Sequence, residues 1–303
     1  MPWILLASIG HVLNAAAFIV DKTLLSTALK RSGTYAALLS LLSLVAILFL
    51  PWVQVWPTGK ALFVTLAFGG VFVLALWMFF EALKRAETSR VVPIIGSLVP
   101  LFTLVGTWHI LGERLTGWQL LGFAALLMAT WLLTSVGDKH SKLDWTTVLL
   151  SAGSAGLFAA SSVLGKMSYE AVPFFSAFVL SRLGTALVGI LILAFIPAVR
   201  TELFGLFRPQ PGKTKTSLRT TLLAIGGQAC GGIGFLMIHL ALSAGSAPIV
   251  NALQAVQYAA IFIVAWFGGR KLQQALQEKR SNATMVAKLA ALALVALGLV
   301  LIT

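Results

Sequence analysis

The sequence predicts an all-α integral membrane protein with about ten transmembrane helices, arranged as two inverted five-helix repeats. Three observations predict it. Hydrophobic residues make up 59% of the 303 residues, charged residues only 10%, and the mean hydropathy is +0.96. A soluble domain carries about 25% charged residues, so this chain has too little charge to cover a soluble globule. Apolar runs close to the roughly 20 residues that cross a bilayer recur along the whole chain. Basic residues, which set a net charge of +13, collect in alternate loops. That last pattern replaces the nucleic-acid reading that such a charge invites in a soluble protein, so the bilayer is the expected partner and no nucleic acid is.

The expected spans run in order as follows. The first covers 3–20 and is the least uniform, because Gly10, His11 and Asn14 interrupt it. The next are 35–56, 61–80, 91–111 and 118–136; Pro93 and Pro100 fall inside the fourth, where Pro100 frees a backbone carbonyl for a cavity or a neighbour. A polar stretch at 137–145 follows. The second half continues with 147–166 and 174–197, then a polar loop at 200–217 whose prolines and glycine forbid a continuous helix. The last three spans are 218–242, 247–267 and 284–302. The eighth carries Gly227 and Gly231 as a small-xxx-small pair, a face for close helix packing, and its many glycines mark it as a hinge.

Ten spans create two classes of loop. Seventeen of the 22 Lys and Arg residues lie in loops after odd-numbered spans, three (Lys60, Arg114, Lys166) lie in the others, and Arg182 and Lys288 lie within spans. The positive-inside rule then places the basic loops in the cytoplasm and both termini outside it. Met1-Pro2-Trp3 has no basic n-region, so no cleaved signal peptide is expected. A single cysteine, Cys230, rules out an internal disulfide.

The two halves, 1–137 and 146–303, also resemble each other. Leu66-Ala67-Phe68-Gly69-Gly70 matches Leu223-Ala224-Ile225-Gly226-Gly227, and Gly112-Glu113-Arg114-Leu115 matches Gly269-Arg270-Lys271-Leu272 at the same offset. A lysine ends the first helix of each half, at Lys22 and Lys166. Five spans per half is an odd number, so the second half enters the membrane upside down. Inverted repeats are the architecture of many secondary transporters, whose substrate site lies at the repeat interface near the bilayer midplane.

Several of these segments resemble the drug/metabolite transporter superfamily in its EamA-like branch. The stretch from Glu81-Ala82-Leu83 through Pro93 and Pro100 to Leu111-Gly112-Glu113-Arg114-Leu115-Thr116 and Gly122 is similar to that family's signature region. Asp21-Lys22, Lys166 and Arg182 resemble its first-helix lysines and second-helix arginine. The resemblance implies a ten-helix transporter, typically an exporter of amino acids or other small metabolites by alternating access.

Polar residues inside a membrane are expensive unless paired, which makes each one a candidate for function. Asn251, Gln254 and Tyr258 on the ninth span share one helical face, with Gln257 beside it. Their donors and acceptors carry no net charge and suit a zwitterionic or neutral polar solute; the competing reading is interhelical glue. His11 and Asn14 share a face of the first span, where His11 is either a proton-linked group or half of a structural pair. Gln228 and His239 lie three turns apart on the eighth span. Arg182 faces an anionic solute group, pairs with a carbonyl or snorkels. Trp77 and Phe80 line an apolar part of the cavity or belong to an aromatic belt. Lys22 and Lys166 read as headgroup anchors or as linings of the two cavity entrances. Among the nine acids only Asp21 and Glu81 come close enough to a core to carry protons, and no carboxylate sits mid-membrane, which argues against a multidrug-cation antiporter.

No metal and no cofactor are expected, since the four histidines are scattered. A membrane enzyme is disfavoured by the absence of paired carboxylates, a Ser/His arrangement or an H-E-x-x-H motif. Within transport, a nucleotide-sugar or phosphate-ester carrier is the near rival. It calls for basic residues on the ninth span, where Asn251 and Gln254 stand instead. A non-transporting membrane or lipid-flippase subunit is the other alternative. The expected ligand is a small molecule, and nothing in the chain requires an oligomer.

Overall fold

A computed structural model describes residues 2–24, 31–86, 88–134, 144–206, 218–268 and 282–303. The loop cations at 25–30, 135–143, 207–217 and 269–281 lie outside the described residues, as do the side chains of Asp21 and Lys22. Every described secondary-structure element is a helix, and ten spans are long and apolar enough to cross a membrane. The chain is a multi-pass membrane protein.

The helices are α1 (Pro2–Leu24), α2 (Ser32–Leu42), α3 (Gly59–Arg85), α4 (Thr88–Leu111), α5 (Gly117–Thr134), α6 (Trp145–Ala171), α7 (Phe174–Phe195), α8 (Pro197–Leu206), α9 (Leu218–Ala244), α10 (Ala247–Ala252), α11 (Gln254–Phe267) and α12 (Asn282–Ile302). A 3₁₀ helix, Ser43–Trp52, completes the second span after α2. The ten expected spans are all present, and four details differ. The second span tightens at Ser43, where Ser40 Oγ donates to Ala36 O and Ser43 Oγ to Ser40 O, both at 2.6 Å. Such back-bonding competes with the α-helical ladder and favours a tighter turn. The expected loop at 200 begins instead as α8, whose Pro197 occupies its first turn while Val199 and Leu203, one turn apart, are buried. The ninth span divides at Leu253. Lys166 does not end its helix: α6 continues to Ala171, and Lys166 pairs with Glu170 at 3.7 Å.

Contacts divide the chain into two compact units, one holding α1, α5 and α9–α12, the other α2–α4 and α6–α8. Each unit therefore draws helices from both halves of the sequence. In the first, α1 packs along α9 and against α11, while α5 packs against α12. In the second, α6 packs along α3 and α4, and α2 packs against α7. The pattern is reciprocal: the first helix of each half lies on the third and fourth spans of the other half. The second helices pair with each other, and so do the fifth.

Glycines set these crossings. A methyl on Gly234 would come within 2.7 Å of Gly10 O and of Asn14 Oδ1, and one on Gly227 within 2.6 Å of Val20 Cγ1. The predicted small-residue face of α9 is thus a real seam, and its partner is α1. In the second unit a methyl on Gly184 would meet Leu66 O at 2.2 Å. Backbone approach of this kind replaces the hydrophobic driving force that lipid removes. Buried hydroxyls add bonds across α3 and α6: Thr65 Oγ1 to Ser168 Oγ at 2.6 Å, Ser154 Oγ to Ala75 O at 2.9 Å and Ser161 Oγ to Phe68 O at 3.0 Å.

Candidate functional site

In the first unit the break in the ninth span is the centre of interest. Leu253, with φ −62° and ψ −7°, closes a single tight turn between α10 and α11, in which Val256 N–H donates to Leu253 O at 2.9 Å. Ala252, Leu253, Ala255 and Ala259 are buried there, whereas Asn251, Gln254, Gln257 and Tyr258 are each half-buried. Burial and polarity alternate around the helix. The apolar residues anchor it and the polar ones occupy the less enclosed side. The break separates Asn251, on α10, from Gln254, Gln257 and Tyr258, which stay together on α11 at spacings i, i+3 and i+4.

The last carbonyls of a helix have no partner within it. One of these, Val250 O, accepts a hydrogen bond at 3.1 Å from Nε2 of His11, which is buried on α1. The Gln257 side chain lies beside the same imidazole. The structure therefore joins two groups of residues that the sequence left apart, because α1 packs against α11. One turn along α1, Asn14 presents its Oδ1 over Gly234 of α9. His239 is buried against Phe235, with ring centroids 4.1 Å apart. Gln228 is exposed on the same helix, about 16 Å away along its axis, so these two do not form one cluster.

The second unit holds the remaining candidates. Arg182 is buried in α7, and its guanidinium lies 5.5, 5.8 and 5.6 Å from the ring centres of Phe68, Phe72 and Phe178. Its Nε and Nη2 each lie 3.3 Å from Ser181 Oγ. Rings from α3 and α7 thus surround a cation that lipid would not tolerate, and cation–π attraction is strongest when such a group is desolvated. Arg182 does not snorkel. Sequence reading missed the cage because its members come from different helices. Trp77 and Phe80 both face the start of α2. A methyl on Gly33 would touch the Trp77 ring at 3.4 Å, and Phe80 packs edge-on against Tyr35 at 4.4 Å.

Glu81 and Glu202 hold that same end of α2. Ser32 Oγ donates to Glu81 Oε2 at 2.6 Å, and Thr34 Oγ1 donates to Glu202 Oε2 at 2.8 Å. Arg85 and Arg31 pair with the two carboxylates at 3.4 and 3.6 Å. The first turn of α2 has no side-chain cap of its own, so two acids from neighbouring helices supply the negative charge that a helix N-terminus favours. Arg31, Ala198, Thr201 and Glu202 line an open depression beside it. Glu202 was not predicted to matter; the Pro197 start and the Val199/Leu203 spacing were the available signals. Asp144, outside the spans, caps α6. The Thr147 hydroxyl, and then its backbone N–H, hold the Asp144 carboxyl below the usual carboxylate range.

No curated protein matches the chain. A solved structure described as "Crystal structure of protein" has the same fold, with a TM-score of 0.66 and 18% identity over 98% of this chain and 96% of that one. Residues 1–135 match the model of the EamA-like transporter family, a family of membrane transporters, in agreement with the drug/metabolite transporter superfamily that the motifs of the first half resemble.

Proposed function

We propose that the protein is a secondary transporter that moves a small polar metabolite, an amino acid or a similar solute, out of the cell by alternating access. It works in the cytoplasmic membrane with both termini outside the cytoplasm, as the segregation of basic loops supports. It is a carrier and not an enzyme, it needs no cofactor, and its partners are the solute and the lipid. The two halves act as inverted repeats, 1–137 and 146–303. The reciprocal packing of α1 on α9 and α11 and of α6 on α3 and α4 supports that reading.

The observation that carries the proposal is the neutral polar cluster at the α10–α11 break. Broken helices line transport sites because their freed backbone groups need a polar partner. Asn251, Gln254, Gln257 and Tyr258 offer amide and hydroxyl groups there without charge, and His11 joins them from α1, one turn from Asn14. Such a lining suits a zwitterion or a polyol better than a phosphate ester, which calls for cationic partners.

The test is solute flux in proteoliposomes with folded Asn251→Ala and Gln254→Ala. Each should lower flux by about tenfold, the equivalent of one good hydrogen bond. Undiminished flux in both removes them from the site. Labelling a cysteine placed in the 200–217 loop from inside the cell, and not from outside, is the expected result for orientation.

A further inference from the structure

We infer that the exposed face of α8 docks anionic phospholipid. The inference goes beyond the carrier reading, since none of its residues belongs to the polar cluster at the α10–α11 break. Only Ile196 separates α8 from the end of α7, so the helix follows a membrane span directly. Its two sides differ. Val199 and Leu203 are buried, and Glu202 turns towards α2, where it accepts from Thr34 and pairs with Arg31. At about 100° per residue, Arg200 lies roughly 160° round the helix from Glu202. It shares the exposed side with Phe204, one turn on and 56% exposed. Phe195, the last residue of α7, is 79% exposed.

A helix in water has no use for two exposed phenylalanines, and a helix among acyl chains cannot hold Arg200. The headgroup layer satisfies both: aromatic rings sink towards the acyl boundary and cations meet phosphate. Charge then selects the lipid. Glu202 is paired with Arg31 and Glu81 with Arg85, while Arg200 and Lys84 are exposed and lie in no ion pair among the described residues. Arg31 adds to them. Its Nε faces Glu202, but its side chain is 57% exposed and a guanidinium has five N–H donors to offer. With Thr201 it lines the open depression beside α8. The carboxylates that hold the start of α2 are thus matched, and the charge left at the surface is positive. A zwitterionic headgroup carries its own ammonium beside its phosphate and gains little here; an anionic one supplies the missing charge. The proposed orientation puts α8 at the cytoplasmic leaflet, whose anionic lipids attract cations next to a span.

The test titrates the purified full-length protein in detergent with phosphatidylglycerol or with phosphatidylcholine of the same acyl chains, and native mass spectrometry reads the bound lipid. Phosphatidylglycerol should bind at least about fivefold more tightly, the worth of one cation at an anionic surface. Arg200→Gln should erase most of that preference. Lys60→Gln, which removes an exposed cation at the start of α3, should keep it. Phe204→Ala should weaken both lipids alike. A photoactivatable phosphatidylglycerol should label residues 195–206 of the wild-type protein, and unlabelled phosphatidylglycerol should compete better than phosphatidylcholine, a readout that needs no variant to fold. Equal binding of the two lipids, a preference undiminished in Arg200→Gln, or label at 195–206 that both lipids displace equally overturns the inference. Stabilisation by inorganic phosphate equal to that by the lipid also overturns it, because the occupant is then a free anion. So does a dimer that shields α8 from the label, because the face then belongs to a second copy. Every one of these outcomes leaves the carrier reading intact, and lost solute flux in Asn251→Ala leaves this inference intact.

Discussion

Adding one methyl group at Gly234 tests the α1–α9 seam. The new Cβ would lie 2.7 Å from Gly10 O and Asn14 Oδ1 and 3.1 Å from Leu13 Cβ, where ordinary contact begins at 3.4 Å, so α1 must retreat by roughly 0.7 Å. Two of these three neighbours are backbone or Cβ atoms that cannot swing aside. Overpacking of this kind costs roughly 1–3 kcal/mol. Gly232 lies two residues earlier on the same helix and meets nothing within 4 Å of the same added methyl, so Gly232→Ala should stay within about 0.5 kcal/mol of wild type. The pair controls for helix propensity, since both substitutions are Gly→Ala inside α9. Gly10→Ala presses on the same contact from the other side, with Gly234 O at 2.8 Å. Once α1 has backed away for one methyl, the second finds room, so the double variant should cost less than the sum by about 0.5–1 kcal/mol. Reversible unfolding in mixed micelles measures the four variants against wild type. Equal effects at 232 and 234, or strict additivity of Gly10→Ala and Gly234→Ala, would refute the seam.

Two further predictions concern the second unit. Because the Asp144 carboxyl is held below its usual range, its contribution is complete above the ordinary Asp range and is lost as pH falls through the lowered folded value. Asp144→Asn keeps a cap that does not ionise, so the acid limb of its stability curve should be flatter, and superimposable curves would count against the cap. Thr34 is fully buried and donates to Glu202; Thr34→Val should cost about 1.5–3 kcal/mol, the range for hydrogen bonds to charged groups. Glu202→Gln, which retains an acceptor, should cost less, and a neutral Thr34→Val would show that the bond is not formed.

The spans were legible because lipid imposes a strict length and composition on each one, and no tertiary contact overrides that demand. The break at Leu253 was not legible. Asn251 and Gln254 read as one continuous face because nothing between them is a glycine or proline; the interruption is matched by His11, which lies on a helix far away in sequence. The glycine face of α9 was readable as a seam, yet its partner was not, since any helix with small residues would fit the pattern. Arg182 was visible as an intramembrane cation, whereas the rings around it, Phe68 and Phe72 from α3 and Phe178 from α7, could not be read from its neighbours in sequence. At 197–206 the following Pro209, Pro211 and Gly212 dominated the reading and hid the two apolar residues that bury α8.

The reciprocal packing makes a stronger demand on the chain than the division into halves does. If 1–140 and 141–303 were independent five-helix bundles, each would fold alone. Here α1 finds its extensive contacts on α9 and α11, and α6 finds its own on α3 and α4. Either fragment alone would leave the close-packing faces of its first, third and fourth spans against lipid. The glycines at 10, 227 and 234 would then face acyl chains, which fit such grooves poorly, and the buried hydroxyls of Ser154, Ser161 and Thr65 would lose partners that cost free energy to leave unmade. Each half expressed alone should therefore be degraded or aggregate, and the two expressed together should assemble into a complex that purifies through a tag on either one. A stable, monodisperse 1–140 fragment that does not bind 141–303 would show that the helices do not exchange between halves.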